Sequence, residues 1–505
     1  MEFIEIANST VDTSDAITLF EGNQMVFVVN GKIKKIVDFL NTKLSISSAL
    51  DVPPLRGDWL TQETTNAVMI VQHVSPDKKS IYGYKISEAD FNTTDLITSN
   101  DAGGQTMTPT SFVPESVTAP QPHCYDWTKH PSKSESLPER AYLGCMYMGR
   151  AVLSGNPSDP NQWYMSRQND PFDWDYGAAD AQTPVAGETS LAGKAGDIIR
   201  ALIPYNDDYL IFGCASSLWA MQGDPAAGGT LFQVSNTTGI FSDTSWCFDD
   251  NGNLFFLGDA GIYQMSVGQG ISKPNNITAL ALPRLRQDLD LNRKTHQVTM
   301  SYDKKRHGIL ITSTELATGN NQNYWFDGLT QGFFPETYSP ATAVYSAHYY
   351  DAEDESESGL LVGGQDGFIR MHDDTLRYDE GPFDRAIESE CLLPIIPLGE
   401  DSSKAGRIIS LQVVTAGNQF DEDAADTDSV VYELHSGDCP ENVLSKIKQE
   451  KTPLHTGTFT GAGKQFRIRK KLRGRNAGLL LKSNTLNHTW AIETIEIDGM
   501  PSGSE

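Results

Sequence analysis

An all-β fold, a β-propeller with an additional C-terminal β-sandwich-like region, is what this sequence predicts, and three observations predict it. Hairpin-like units recur along the first three quarters of the chain. The 43 Gly and 25 Pro are scattered rather than clustered, as many short strands joined by turns require. Helical periodicity is scarce, confined to Lys32–Ile46 (KIKKIVDFLNTKLSI) and Ala281–Asp290 (ALPRLRQDLD).

The units read in order. Asn66–Ser87 (NAVMIVQHVSPDKKSIYGYKIS) is the first, and Gly149–Arg167 repeats its strand–turn–strand form with a longer turn. Tyr209–Gly223 (YLIFGCASSLWAMQG) and Asn253–Gly268 (NLFFLGDAGIYQMSVG) match closely, with Gly213 and Gly258 standing 45 positions apart. His307–Asp327 and Gly359–His372 complete the series. Spacings of roughly 45 to 60 residues suit propeller blades, whose radial arrangement buries each small sheet's apolar faces and protects its edges. The gap between the first two units is too long for one blade. Residues 98–139, rich in Ser, Thr and Pro, are expected to form a long extended insertion, so the propeller is expected over 1–382.

Beyond Pro382 the pattern changes, and 383–505 is expected to be a separate β-rich region or strands that close the ring. Six candidate strands lie in Arg385–Leu398, Gly406–Val414, Val430–His435, Lys464–Lys471, Gly478–Lys482 and Trp490–Asp498. They read as a β-sandwich or as a last blade.

The charge balance, 39 Lys plus Arg against 66 Asp plus Glu, leaves −27. Such a surface repels nucleic acid and anionic membrane, which excludes a sequence-reading DNA-binding role but permits passive passage of a duplex along an acidic wall. The start, MEFIEIANST, lacks a basic region followed by an apolar one, and no apolar run reaches the ~20 residues that span a bilayer, so a soluble protein made in a reducing cytoplasm is expected, with no membrane insertion. Cys124, Cys145, Cys214, Cys247, Cys391 and Cys439 show no metal-ligand spacing, and Cys145, Cys214 and Cys247 sit in apolar runs as buried thiols.

Patterns that suggest chemistry do not hold up. The acidic run Asp421-Glu422-Asp423, with Asp426 and Asp428, lacks the Gly and terminal Glu of a Ca²⁺ loop. Gly457–Lys464 (GTFTGAGK) is one residue too long for a phosphate loop, and Gln465 replaces its Ser/Thr. Ser99–Gly103 begins like an Asp-box, but Thr106 stands at the aromatic position. No G-x-S-x-G elbow occurs, and the ten His are isolated. The sequence therefore assigns no catalytic, cofactor-binding or metal residue and no cofactor. The one strong charge anomaly is the basic strip Lys464, Arg467, Arg469, Lys470, Lys471, Arg473, Arg475. Its alternation with Phe466 and Ile468 suggests a strand with one wet face, whose favoured partner is an acidic surface of a neighbouring subunit, ahead of solvent or DNA phosphates.

Gly149-Arg150-Ala151-Val152-Leu153, followed by Ser166-Arg167-Gln168-Asn169-Asp170-Pro171-Phe172-Asp173-Trp174, resembles a signature of phage tail propellers. Ile198–Gly223, Thr238-Gly239 and Phe255–Tyr263 follow in that family's order, and Arg473-Gly474-Arg475 through Trp490–Glu493 is similar to its C-terminal end. The series covers about 150–270 and, loosely, the last 40 residues. The chain thus resembles the tail nozzle, or packaged-DNA stabilisation protein, of short-tailed bacteriophages. The resemblance implies a non-enzymatic structural virion protein: a homo-oligomer, six copies in the nozzles of such phages, forming a tube below the portal and adaptor ring. That tube retains packaged DNA, conducts it during ejection and carries tailspikes or fibres. The competing expectations are a hub or baseplate propeller of a long-tailed phage and a carbohydrate-binding or -processing propeller, for which Trp163, Tyr164, Trp174 and Tyr176 would supply aromatics.

Overall fold

The computed structural model describes residues 10–12, 15–39, 42–100, 106–113, 122–177, 180–267, 270–289, 291–373, 376–379, 384–399, 404–417 and 427–501. The chain forms two compact units, Met1–Met371 and His372–Glu505. Strand occupies 47% and helix 5%, so the fold is all-β. The boundary read from sequence at 382/383 falls outside the described residues.

The first unit is a β-propeller, with six blades among the described residues. Blade 1 starts with β1 (Thr18–Gly22), β2 (Met25–Val29) and β3 (Lys34–Asp38). The chain then leaves for a separate sheet made of β4 (Thr42–Ile46), β5 (Trp59–Gln62), β6 (Ala67–Val74), β7 (Ser80–Lys85), β8 (Ile97–Ser99), β9 (Thr106–Met107) and β10 (Pro109–Val113). It returns as β11 (His123–Asp126), the outer strand of blade 1, with His123 opposite Asp38. Blade 2 is β12 (Leu143–Tyr147), β13 (Arg150–Ser154), β14 (Trp163–Met165) and β15 (Val185–Ala186). Blade 3 is β16 (Ile199–Tyr205), β17 (Tyr209–Cys214), β18 (Leu218–Gln222) and β19 (Thr230–Ser235). Blade 4 is β20 (Trp246–Phe248), β21 (Asn253–Leu257), β22 (Ile262–Ser266) and β23 (Asn275–Asn276), and the short α1 (Leu285–Asp288) leads on. Blade 5 is β24 (His296–Asp303), β25 (Gly308–Glu315), β26 (Asn321–Asp327) and β27 (Phe333–Glu336); blade 6 is β28 (Val344–Tyr350), β29 (Gly359–Gly364) and β30 (Ile369–Met371).

Each blade is an antiparallel meander, and the first strands of neighbouring blades lie side by side: β1 on β12, β12 on β16, β20 on β24, β24 on β28. The core accordingly sits between blades. On β17, Leu210 and Phe212 pack toward blade 2 with Leu143, Val152 and Trp163, while Ile211 packs toward blade 4 with Leu254 and Phe256. A strand buried on both faces reads as an unbroken apolar run, which is why YLIFGC shows no alternation. Gly239 lets the chain cross from blade 3 to blade 4. Ile240 N donates to Cys214 O (2.9 Å), and a Cβ at 239 would stand 2.2 Å from the backbone oxygen of Ala215.

Four sequence expectations need correction. Lys32–Ile46 is not a helix but β3 and β4, which belong to different sheets. Its apolar spacing fits a 3.6-residue period, yet Ile33, Ile36 and Val37 prefer strand, and each half finds a partner elsewhere. The hairpin Asn66–Ser87 is not a blade; it is β6–β7 of the separate sheet. The insertion is that sheet, from 42 to 113, and not an extended excursion over 98–139, whose described part supplies the end of β8 and all of β9, β10 and β11. The sheet, ordered β10-β4-β7-β6-β5-β8-β9, curls into a nearly closed barrel around Leu44, Leu60, Met69, Val71, Ile81 and Ile97. In the Ala281–Asp290 segment, only α1 is helical.

The second unit begins with the short pair β31 (Tyr378–Asp379) and β32 (Arg385–Ala386), then β33 (Ser389–Leu392) and β34 (Ile396–Pro397). β35 (Gly406–Thr415), β36 (Ser429–Gly437), α2 (Pro440–Lys448), β37 (His455–Thr460), β38 (Gln465–Gly474), β39 (Asn476–Ser483) and β40 (Ile492–Pro501) follow. One sheet runs β33-β39-β36-β37 with β34 also on β39; the other runs β38-β35-β40. Leu411, Val413, Leu434, Phe459, Leu479 and Leu481 fill the space between them, so this unit is a sandwich and not a seventh blade.

Candidate functional site

The segment that carries the family resemblance is architecture throughout. Trp127 Nε1 and Trp174 Nε1 both donate to Pro171 O, at 2.9 and 2.8 Å, and His130 N donates to Phe172 O. Asp173, 2% exposed, meets Lys133 Nζ at 2.6 Å and accepts from Asp175 N. Burial pushes the Asp170 carboxyl above the usual range, against the opposing bond from Phe172 N and the charge of Arg56. The Asp-Pro-Phe-Asp-Trp loop of blade 2 is thereby fastened to the strand end and following loop of blade 1. The side chain of Arg150 is wholly buried: Nε and Nη2 bond Asp224 Oδ2 at 3.0 and 2.9 Å. The same guanidinium donates to the carbonyls of Ser166, Ala181, Gln182 and Thr183. Trp163 and Trp174 are fully buried and Tyr176 Oη is enclosed, so three of the four aromatics considered for a carbohydrate platform pack blades instead.

The cysteines divide as expected. All six are free thiols; Cys145, Cys214 and Cys247 are buried, and burial raises each of the three, Cys214 to about 12. The acidic residues 421–426 lie outside the described residues, whereas Asp428 accepts from Thr489 N and faces Arg377 at 3.5 Å. Gly457–Lys464 is the end of β37 and a turn, with Gly461 and Gly463 at φ 93° and 60°, and Lys464 N donates to Thr415 Oγ1. Of the Asp-box-like segment, Asn100 Oδ1 accepts from Trp59 N and 101–103 are outside the described residues. Among the described residues no group of His, Cys, Asp and Glu is arranged to hold a metal ion. No helix among them is long and apolar enough to cross a membrane.

Sequence reasoning missed one concave site. The first strands of blades 4, 5 and 6 line a cleft of about 550 Å³, which includes Asp243, Asp250, Tyr302, Lys304, His348 and Tyr349. At one end Tyr302 Oη donates to Asp250 Oδ2 (2.9 Å), and that acceptor lifts the phenol further above its usual range after burial has raised it. Lys304 reaches Asp351 Oδ2 at 3.0 Å and lies 5.3 Å from the Tyr349 ring. A second cavity of about 400 Å³ shares Lys304 and Tyr349 and adds His307 and Glu355.

Asp243 brings distant blades together. Thr18 Oγ1 of β1 is 3.1 Å from Asp243 Oδ2 and 2.9 Å from Tyr142 O. A single hydroxyl proton cannot serve both acceptors. With Asp243 protonated, its O–H donates to Thr18, which donates on to the carbonyl, and every group is satisfied. Burial pushes this carboxyl up to about 6, so the protonated arrangement holds below that pH; above it the carboxylate instead accepts from Thr18 Oγ1 and Leu202 N, contacts that oppose the shift. The cleft thus offers one shielded acid, an exposed acid–phenol pair and an ammonium beside an aromatic ring. Such a set hydrogen-bonds a polar ligand; it presents no nucleophile held against a base.

No protein-family model and no curated protein matches the chain. Among solved structures, an exo-β-1,3-galactanase from Phanerochaete chrysosporium is 10% identical, with 70% of this chain and 96% of that chain covered and a TM-score of 0.21. Streptogramin B lyase is 9% identical over 66% of this chain and 97% of that one, with a TM-score of 0.25. PorZ, a surface component of the type-IX secretion system of Porphyromonas gingivalis, is 10% identical over 96% of this chain and 70% of that one, again with a TM-score of 0.25. At such scores none of them carries an argument about what this chain does.

Proposed function

We propose that the protein is a non-enzymatic structural component of the tail of a short-tailed bacteriophage, an oligomeric nozzle below the portal and adaptor ring. The observation that carries this reading is the use made of the tail-propeller signature. Arg150, Asp170, Pro171, Asp173 and Trp174 are spent on fastening blades rather than presented to a ligand. A signature made of such staples marks a shared architecture, which is what a structural family has in common. The net charge of −27 fits the role, since a tube of acidic copies passes a duplex without holding it. In this reading the copies, six by family resemblance, assemble in the virion after synthesis in the bacterial host cytoplasm, and the tube bears spikes or fibres. Gold-labelled antibody against the chain, imaged on virions by electron microscopy, tests it. Label confined to the distal tube of a short tail is expected. Label at the tip of a long tail makes the protein a hub, and no label on any particle removes the virion reading.

The axial cleft favours a second reading, a carbohydrate-binding propeller, because Tyr349 and Tyr302 stand there with carboxylate and ammonium partners. Retention on a glycan array that is lost in Tyr349→Ala supports it; an array with no signal above background rejects it.

A further inference from the structure

The three-stranded sheet of the C-terminal unit is electrically lopsided. On its exposed face β38 presents Arg467, Arg469 and Arg473, and β40 presents Glu496 and Asp498. The register lines them up across β35: Arg467, Gln412 and Glu496 form one row, and Arg469, Ser410 and Asp498 the next. Phe466, Ile468, Ile495 and Ile497 point the other way, into the sandwich core. Since β35 is antiparallel to both neighbours, β38 and β40 run parallel to one another.

Both are edge strands of ten residues, and among the described residues neither outer edge is paired. Long open edges template association unless something covers or repels. Within one chain the opposite charges are kept apart by β35. Arg467 Nη2 approaches Asp498 Oδ2 only to 3.8 Å, with the two side chains 52% and 63% exposed, and Arg469 has no ion pair among the described residues. A pair so open to solvent contributes little to the fold. Exposed Ile409 and Met500 accompany the charges.

We infer that β40 of one copy adds in parallel to β38 of a second copy, continuing the sheet from subunit to subunit. Equal strand lengths and matching direction bring Glu496 beside Arg467 of the next copy, and Asp498 beside Arg469. The occupant is a second copy because this chain carries both halves of the match, in register and on one face. Elsewhere two chains of charge −27 repel, so attraction has to be concentrated where basic residues gather. The contact is head-to-tail, with different surfaces meeting, and it therefore builds a ring when the rotation closes. This inference rests on the homo-oligomeric part of the function proposed above and names the surface that would make it.

Charge reversal in the full-length chain tests it by sedimentation velocity. Arg467→Glu/Arg469→Glu makes both edges acidic, and Glu496→Lys/Asp498→Lys makes both basic. The wild type is expected to sediment as an oligomer that dissociates with rising salt. Each variant alone is expected to associate at least about 100-fold more weakly. An equimolar mixture is expected to recover the oligomer, because every junction is again acid against base; two misfolded variants would not rescue one another. A wild-type oligomer that both variants leave unchanged overturns the surface and leaves the nozzle reading standing. Folded variants that stay apart on mixing overturn the pairing. A monomeric wild type overturns the interface, whereas absence of label on virions strikes the nozzle reading alone.

Discussion

Replacing Arg150 tests how the propeller is held together. Arg150→Ala removes a guanidinium with no solvent exposure and strands Asp224, whose side chain is only 9% exposed. It also takes donors from the carbonyls of Ser166, Ala181, Gln182 and Thr183. Breaking a buried ion pair by deleting one partner costs about 3–5 kcal/mol, and carbonyls left dry add to that. Asp224 also caps the short turn at Pro225–Ala227 through Ala226 N, so strain at the loop after β18 is expected with it. Arg150→Lys keeps the charge but not the planar fork and is expected to cost about half as much. Urea unfolding followed by tryptophan fluorescence reports the change, since Trp127, Trp163 and Trp174 are buried near this network. Arg150→Met with Asp224→Leu, which removes both charges, is expected to recover most of the loss. A loss below about 1 kcal/mol for Arg150→Ala, or a double variant no better than the single, would refute the assignment of the buried pair as a fastening between blades 2 and 3.

Other tests follow from the titrating groups. The Asp243 carboxyl is raised to about 6 in the fold against an ordinary value near 3.8, so the folded state prefers the acid, and stability falls as pH rises between those values. At about 1.4 kcal/mol per pH unit across that window, the loss by pH 7 is about 3 kcal/mol; Asp243→Asn, which still donates to Thr18, is expected to be the more stable protein at pH 7 in a thermal melt and to lose that slope. His73 lies 4.4 Å from the Phe172 ring and 5.2 Å from the Tyr125 ring, and burial drops it to about 3. The unfolded imidazole takes up a proton below about 6.5 and the folded one does not, so stability falls by up to about 1.4 kcal/mol per pH unit toward acid. Hydrogen exchange in the inserted sheet should detect that loosening, and His73→Phe should abolish it. Iodoacetamide at pH 8 is expected to label exposed Cys391 and Cys439 within minutes and Cys145, Cys214 and Cys247 only after unfolding, as mass spectrometry would show.

How much of this was legible in the sequence depends on where a strand finds its partner. Gly149–Arg167, Tyr209–Gly223, Asn253–Gly268, His307–Asp327 and Gly359–His372 each fall on the second and third strands of consecutive blades, because those two strands are neighbours in sequence that pair as a hairpin around an apolar second strand. The outer strands β15 and β23 are two residues long and carry no pattern of their own. Blade 1 is split in the sequence: its local hairpins, β1–β2 and β2–β3, lie next to a segment whose apolar spacing suits a helix, and its last strand pairs with β3 only after the whole inserted sheet. In the C-terminal unit the wet and dry faces of β38 were visible from alternating Arg and apolar residues, since a half-buried strand must alternate. The axial cleft was invisible for a different reason. Asp243, Tyr302 and Tyr349 come from three blades, more than 100 residues apart end to end, and only the radial arrangement of first strands brings them to one cleft.

The interrupted first blade also sets a timetable. On a ribosome adding about 5–20 residues per second, β11 emerges roughly 4–17 s after the Asp38 end of β3 with which it pairs. Through that interval the inserted barrel can fold by itself around its own apolar interior, while β3 waits with one side unpaired. Trp127, which follows β11, is then already in place to donate to Pro171 when blade 2 emerges behind it. Assembly of the propeller is thus ordered by the insertion: barrel first, then closure of blade 1, then the addition of blades in sequence. Lengthening the barrel's loops should delay the native state without changing its stability, making the insertion a clock built into the nascent chain.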